Sequence, residues 1–214
     1  MKSTTITLSV VNASTPGIYY NNEKHQYQFD TGIFCDDPNG LTIDLPGRLC
    51  VKGPVACDSD IEIRCDGLVA ESVRTNGFLD AHGAVEAFTV HSERGIFVTK
   101  ELRASKYIYT AHGNIVAGSI STDGDLMGGE IRAFGINGKN QGDITADNIH
   151  AGYGIQATGT IRTKYDVIAH GDVVMNRCEI HGFIRTGAAI VVYRGDTSSC
   201  RKIEGARTIV CCNL

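Results

Sequence analysis

The sequence predicts an all-β chain built on a single parallel β-solenoid (a β-helix, read as right-handed), with an N-terminal β-rich cap and a C-terminal β-hairpin cap. Two observations carry that prediction. Short groups of residues recur at a fixed interval through the middle of the chain, and glycine is frequent while proline is scarce. The 214 residues include 25 Gly and 4 Pro, against a usual glycine content of about 7%. Abundant glycine without proline points to many tight corners rather than to disorder.

The recurrence begins with three Ala-His-Gly tripeptides at 81–83, 111–113 and 169–171. Their histidines are His82, His112 and His170; the second gap is close to twice the first, and Gln141-Gly142 stands midway in it. An aliphatic residue follows each glycine by two positions: Val85, Ile115, Ile144 and Val173. Half a repeat away, Arg74, Arg103, Arg132 and Arg162 keep the same interval, as do Gly67, Gly95, Gly124 and Gly154. A further column reads His91, Ser121, His150, His181. Several independent columns with one period of about 29 residues establish an internal repeat.

Within the repeat, aliphatic residues return every five or six positions, as in Ile144, Ile149, Ile155, Ile161, Val167 and Val173. The segments between them alternate apolar and polar, which gives short strands with the first and third residues facing inward. Clusters of Gly, Asn and Asp supply the corners, and so much glycine is incompatible with helix. If each repeat unit is one rung, about four rungs stack to roughly 20 Å at ~4.8 Å each. A triangular coil of about 17 residues, with about seven rungs, is the alternative. Stacking of identical residues favours the longer rung.

The repeat covers residues 61–186 and divides the chain in three. Residues 1–60 lack the columns but hold strand-like stretches separated by Asp-Asp-Pro-Asn-Gly and Leu-Pro-Gly turns, and form the N-terminal region. Residues 187–214 contain two apolar stretches, 188–193 and 206–212, read as a closing hairpin. A solenoid exposes its core and an unpaired backbone edge at each end, which is why both ends are expected to act as caps.

The run Asn148-Ile-His-Ala-Gly-Tyr-Gly-Ile-Gln-Ala-Thr-Gly-Thr-Ile-Arg-Thr resembles the Ile-x-Ala-Gly repeat proteins of bacteria, phages and prophages, whose function is mostly unassigned. The ending Phe183-Ile-Arg-Thr-Gly-Ala-Ala-Ile-Val-Val-Tyr looks like the short hairpin that closes those proteins. A more distant similarity is to bactofilins, the polymer-forming β-solenoids of bacterial cytoskeletons. The resemblance implies a β-solenoid, a phage or mobile-element origin, and inhibition of a host macromolecular complex such as a defence system. The bactofilin likeness implies a structural polymer instead.

Composition narrows the function classes. The formal charge is −4, and the repeat region carries twelve Lys/Arg against fifteen Asp/Glu. That provides no one-sided field for nucleic acid. No apolar run approaches the ~18 residues of a membrane span, and the first fifteen residues are too polar for a signal peptide, so a cytoplasmic protein is expected. None of the eight cysteines forms a Cys-x-x-Cys pair, so no zinc site is expected and most thiols should be buried.

The histidine column could hold a metal, and the arginine column could grip phosphate or an acidic partner. Against the second idea, Glu101 and Glu130 stand two residues before Arg103 and Arg132, where mixed charges pair locally. Asp123, Asp125, Asp143, Asp147, Asp166 and Asp172 occupy corner segments, where aspartate serves turns. No catalytic motif is present. The sequence therefore predicts a non-enzymatic module that binds a protein, with no cofactor or metal. Its candidate binding residues are Arg74, Arg103, Arg132, Arg162, His82, His112, Gln141 and His170. A homodimer through the C-terminal hairpin is expected, and a carbohydrate-active β-helix is a further alternative.

Overall fold

A computed structural model describes residues 9–129, 131–133, 142–193 and 202–211. Among them there are strands and turns but no helix. In chain order the strands are β1 (Val10–Val11), β2 (Ile18–Asn21), β3 (Gln26–Phe29), β4 (Ile33–Cys35), β5 (Leu41–Asp44), β6 (Arg48–Val51), β7 (Val55–Cys57), β8 (Ile61–Arg64), β9 (Gly67–Thr75) and β10 (Phe78–Ala81). They continue as β11 (Ala84–Ser92), β12 (Gly95–Thr110), β13 (Ile115–Thr122), β14 (Asp125–Gly128), β15 (Ile131–Ala133), β16 (Ile144–Ala146), β17 (Asn148–Ala151) and β18 (Ile155–Ala157). The last eight are β19 (Thr160–Thr163), β20 (Val167–Ala169), β21 (Val173–Met175), β22 (Arg177–Ile180), β23 (Phe183–Thr186), β24 (Ala189–Val192), β25 (Lys202–Glu204) and β26 (Thr208–Cys211).

These strands wind a parallel β-solenoid of about nine turns with three faces per turn. The first face stacks β5, β8, β10, the start of β12 and the start of β13. It goes on through β15, β18, β21, β24 and β26. The second face runs from β3 through β6, β9 and β11 to β22. The third runs from β4 through β7 and the far ends of β9, β11 and β12 to β14, β17, β20, β23 and β25.

The register corrects the expected rung. Gly67 lies opposite Ala84, Ile149 opposite Val167 and Val173 opposite Ile190, so one rung is close to the shorter of the two expected lengths through most of the coil. The interval is wider where Ile131 meets Ile155 and at the N-terminal end, where Tyr27 meets Leu49. The repeat interval read from the sequence is therefore not a rung. Three faces, each taking five or six positions, make one turn, so the repeat interval advances the chain by five faces from Arg74 to Arg103 and from Arg103 to Arg132, and by four across the wider rung between Arg132 and Arg162. A residue and its repeat stand on different faces.

The five-to-six-residue rhythm does hold. Ile144, Ile149, Ile155, Ile161, Val167 and Val173 lie in β16 to β21, one to a strand, and each is fully or almost fully buried. Strand after strand shows buried, outer, buried side chains. Alternation in an extended chain puts every second residue into the triangular interior. Each face contributes one or two aliphatic side chains per rung, and the core is a continuous column of Ile, Val, Leu and Ala. Cys35, Cys57 and Cys65 sit in it as buried free thiols. Burial pushes the Cys57 thiol up to about 11.

Parallel coiling already runs through residues that precede the repeat. Tyr27, Ile33 and Leu41 pair with Leu49, Val55 and Ile61, each one rung on. The one antiparallel pair among the described strands is β2 with β3, a hairpin at the N-terminal end. At the C-terminal end the predicted hairpin is not formed. β24 and β26 pair in parallel, Ile190 opposite Ile209, as members of successive rungs. Between them β25 returns the chain to the third face and pairs in parallel with β23. Hairpin connections take only about two to five residues, and the stretch from Val192 to Thr208 instead accommodates another strand.

Aspartates at the corners fasten one rung to the next. Asp60, Asp143, Asp166 and Asp172 each accept a backbone N–H from the following rung, from Phe78, Thr160, Phe183 and Ala189 respectively, at 2.7–3.0 Å. A charged acceptor makes each of these bonds stronger than a neutral one.

Candidate functional site

The arginine column is dispersed by the three-faced coil. Arg74 points outward from the third face between Ala56 and His91. Arg103 and Arg162 lie on the second face, separated by the rungs of Ser121 and Thr145, and Arg132 lies on the first face between Val116 and Gln156. Arg162 is held by carboxylates on both sides, 2.7 Å from Glu179 and 2.9 Å from Asp143. The Asp143 hydrogen bond, with Glu179, raises its pKa further. The four side chains do not form one anion-binding ladder.

The histidines divide differently. His82 occupies the corner after β10, away from the others. Its backbone N–H bonds the Ile63 carbonyl and its own carbonyl accepts the Thr99 hydroxyl. Gln141 lies outside the described residues. His112 and His170 both sit at the corner between the third and first faces, after β12 and β20. His150 projects outward from the adjoining strand β17. His112, His150 and His170 together line a groove of about 580 Å³. Even spacing in the sequence put His82 and His112 in one column, but the fold puts His112 with His150 instead.

The groove is shaped as much by what its corner lacks. Gly128, Gly129 and Gly152 line it, together with Tyr109, Met127 and Tyr153. A Cβ on Gly129 would crowd the Gly113 carbonyl at 2.8 Å, so that glycine is required by the fold. Gly152 is different: nothing lies nearer than 3.8 Å to a Cβ placed there, and its backbone is not in the left-handed region. The coil would accept a side chain at this position, and its absence leaves the groove open. Among the described residues that line the groove, none is Asp, Glu, Lys or Arg.

Tyr153, between Gly152 and Gly154, is 71% exposed, the largest exposure among the described large apolar side chains. Met127 stands directly between Tyr109 and His150 on the outward ladder of the third face. His112 also lines a second depression on the first face, where Phe78 and Phe97 are 50% and 48% exposed. His112 thus belongs to both depressions, with exposed aromatic side chains on either side of it. Sequence columns did not single out Tyr109, Met127, Tyr153, Phe78 or Phe97. The readable signal was a tyrosine flanked by glycines at a corner, where no core position could claim it.

Imidazole nitrogens and the tyrosine hydroxyls offer hydrogen bonds of either sense, and the rings, thioether and Ile168 offer apolar contact. Such a surface is suited to recognition. No three His, Cys, Asp or Glu side chains among the described residues come together in an arrangement that could hold a metal ion. Comparison with known proteins finds no matching family, no matching curated protein and no matching solved structure.

Proposed function

We propose that this protein is a non-enzymatic interaction module whose rigid coil presents the surface around His112 to a protein partner. The observation that carries this reading is the exposed groove itself: Met127 and Tyr153 line it with three imidazoles, and Phe97 lines the neighbouring depression that shares His112. Monomeric proteins rarely leave contiguous apolar surface uncovered without use, and aromatic side chains dominate the binding energy of protein interfaces. The corner aspartates support the same reading, since four of them are engaged with backbone N–H groups of the next rung. The more specific form, a phage or mobile-element protein that inhibits a host defence complex, rests on the Ile-x-Ala-Gly resemblance of residues 148–163.

The test compares affinity capture from a bacterial lysate by wild type and three variants. Gly152→Leu fills the groove at a position that accepts a side chain, and its stability should match wild type to within about 0.5 kcal/mol. Tyr153→Ala removes the most exposed large apolar side chain among the described residues, and Arg103→Ala alters the second face. A protein retained by wild type and by Arg103→Ala, but lost with Gly152→Leu and with Tyr153→Ala, is the expected result. Retention that ignores the groove substitutions and fails with Arg103→Ala would move the interface to the second face and overturn the reading.

A further inference from the structure

The two ends of the coil are finished differently. At the N-terminal end, Val11, Phe29, Ile33 and Cys35 point inward from β1, β3 and β4, and each is no more than 4% exposed. At the C-terminal end, Ile190 and Val192 of β24 are fully buried, while Ile209 and Cys211, their partners in β26, are exposed. All four residues of β26 are exposed, and Ile209 and Val210 place apolar side chains on opposite faces of the strand. Among the described strands β26 pairs only with β24, so its other edge has no backbone partner there. Nor does it carry the charge, proline or bulge that usually protects such an edge.

The pairing pattern fixes which groups that edge offers. The Arg207 N–H bonds the Ala188 carbonyl. Alternation along a parallel strand then turns residues 207, 209 and 211 toward β24, and turns the N–H and C=O of Thr208 and Val210 outward. We propose that this edge pairs with the same strand of a second copy, antiparallel and about a two-fold axis through Ile209. In that register Thr208 and Val210 exchange both hydrogen bonds with Val210 and Thr208 of the second copy, which satisfies every outward group of the described strand. Ile209 then faces Ile209 of the second copy on the inward side, where the Cα separation of such a pair is about 4.5 Å.

A second copy of this chain is favoured over an open polymer by the asymmetry of the ends. Head-to-tail growth needs a complementary open end, but the inward side chains of β1, β3 and β4 are covered and, among the described residues, β1 offers only two. A surface that complements itself closes after two subunits. This inference is independent of the groove around His112, because the two surfaces share no residue.

Size-exclusion chromatography with light scattering on the 214-residue chain, over a wide concentration range, tests it. Wild type is expected to reach and hold twice the 23.0 kDa chain mass. Val210→Pro removes an outward N–H and leaves the β24 ladder intact, as an edge position allows. It should halve the mass without loss of β-structure by circular dichroism. Ile209→Lys should do the same by placing a charge opposite its own copy, and decides the matter should the proline variant not fold. A monomeric wild type, a mass that keeps growing with concentration, or a dimer unchanged in both variants would each overturn the proposal.

Discussion

Residues 67–122 and residues 143–192 build the same coil by different means. In the first region β9, β11, β12 and β13 run for 9, 9, 16 and 8 residues, straight through the corners between faces. The backbone ladder bends there at irregularities, between Ala87 and Thr89 and between Val98 and Glu101. In the second region the strands are three or four residues long. Corners there are turns, and side chains replace the missing ladder bonds: Asn148 donates to Asp125 and accepts from the Asp166 N–H, and Asp166 accepts from the Phe183 N–H. A corner can be a bent strand or a clasped turn, and the buried column behind it is the same. The inward aliphatic residues set the shape, and corner chemistry adapts to it.

On that account the core should outweigh the corners. Leu102→Ala, at a fully buried position in the middle of β12, should cost about 2–5 kcal/mol in urea unfolding. Asp166→Ala should cost only about 1 kcal/mol by the same measurement. An Asp166→Ala loss as large as that of Leu102→Ala would mean that the clasps, and not the core, hold the second region.

A smaller effect separates the N-terminal rungs from both regions. Cys57 is raised from 9.0 to about 11 by burial, so the unfolded chain gives up this proton at lower pH than the folded chain. Its contribution is complete below pH 9 and is lost as pH rises toward 11. Unfolding followed across that range should show a decline of about 1 kcal/mol by about pH 10, and Cys57→Ala should remove this part of it. A wild-type profile identical to that of the variant would show that the thiol environment is not what weakens the coil.

The inward rhythm was legible because burial writes itself directly into residue type. Ile144 to Val173 recur as one aliphatic position per face, and each is in the core. The length of a turn was not legible. Spacing in sequence counts residues, and an interval of four or five faces looks the same as a rung until strand pairing is known. That ambiguity also scattered the predicted site: Arg74, Arg103 and Arg132 each fell on a different face. Within the groove, His112 and His170 carried a mark in the sequence as members of the Ala-His-Gly column. Their neighbours Tyr109 and Met127 were not found, because a side chain on the outer half of a strand carries no periodic mark. The C-terminal strands misled for a related reason. Two apolar stretches separated by a polar one read alike whether they fold back as a hairpin or advance one turn.

The register has a mechanical consequence. Because each strand in most of the coil bonds the segment one turn further along, the ladder pairings link neighbouring turns. Load applied along the axis passes through each turn in series, as in a stack of coins threaded on one cord. Such a chain can gain or lose a whole turn during evolution while the turns on either side keep their partners, and the length of the rod becomes a quantity that selection can adjust by single steps.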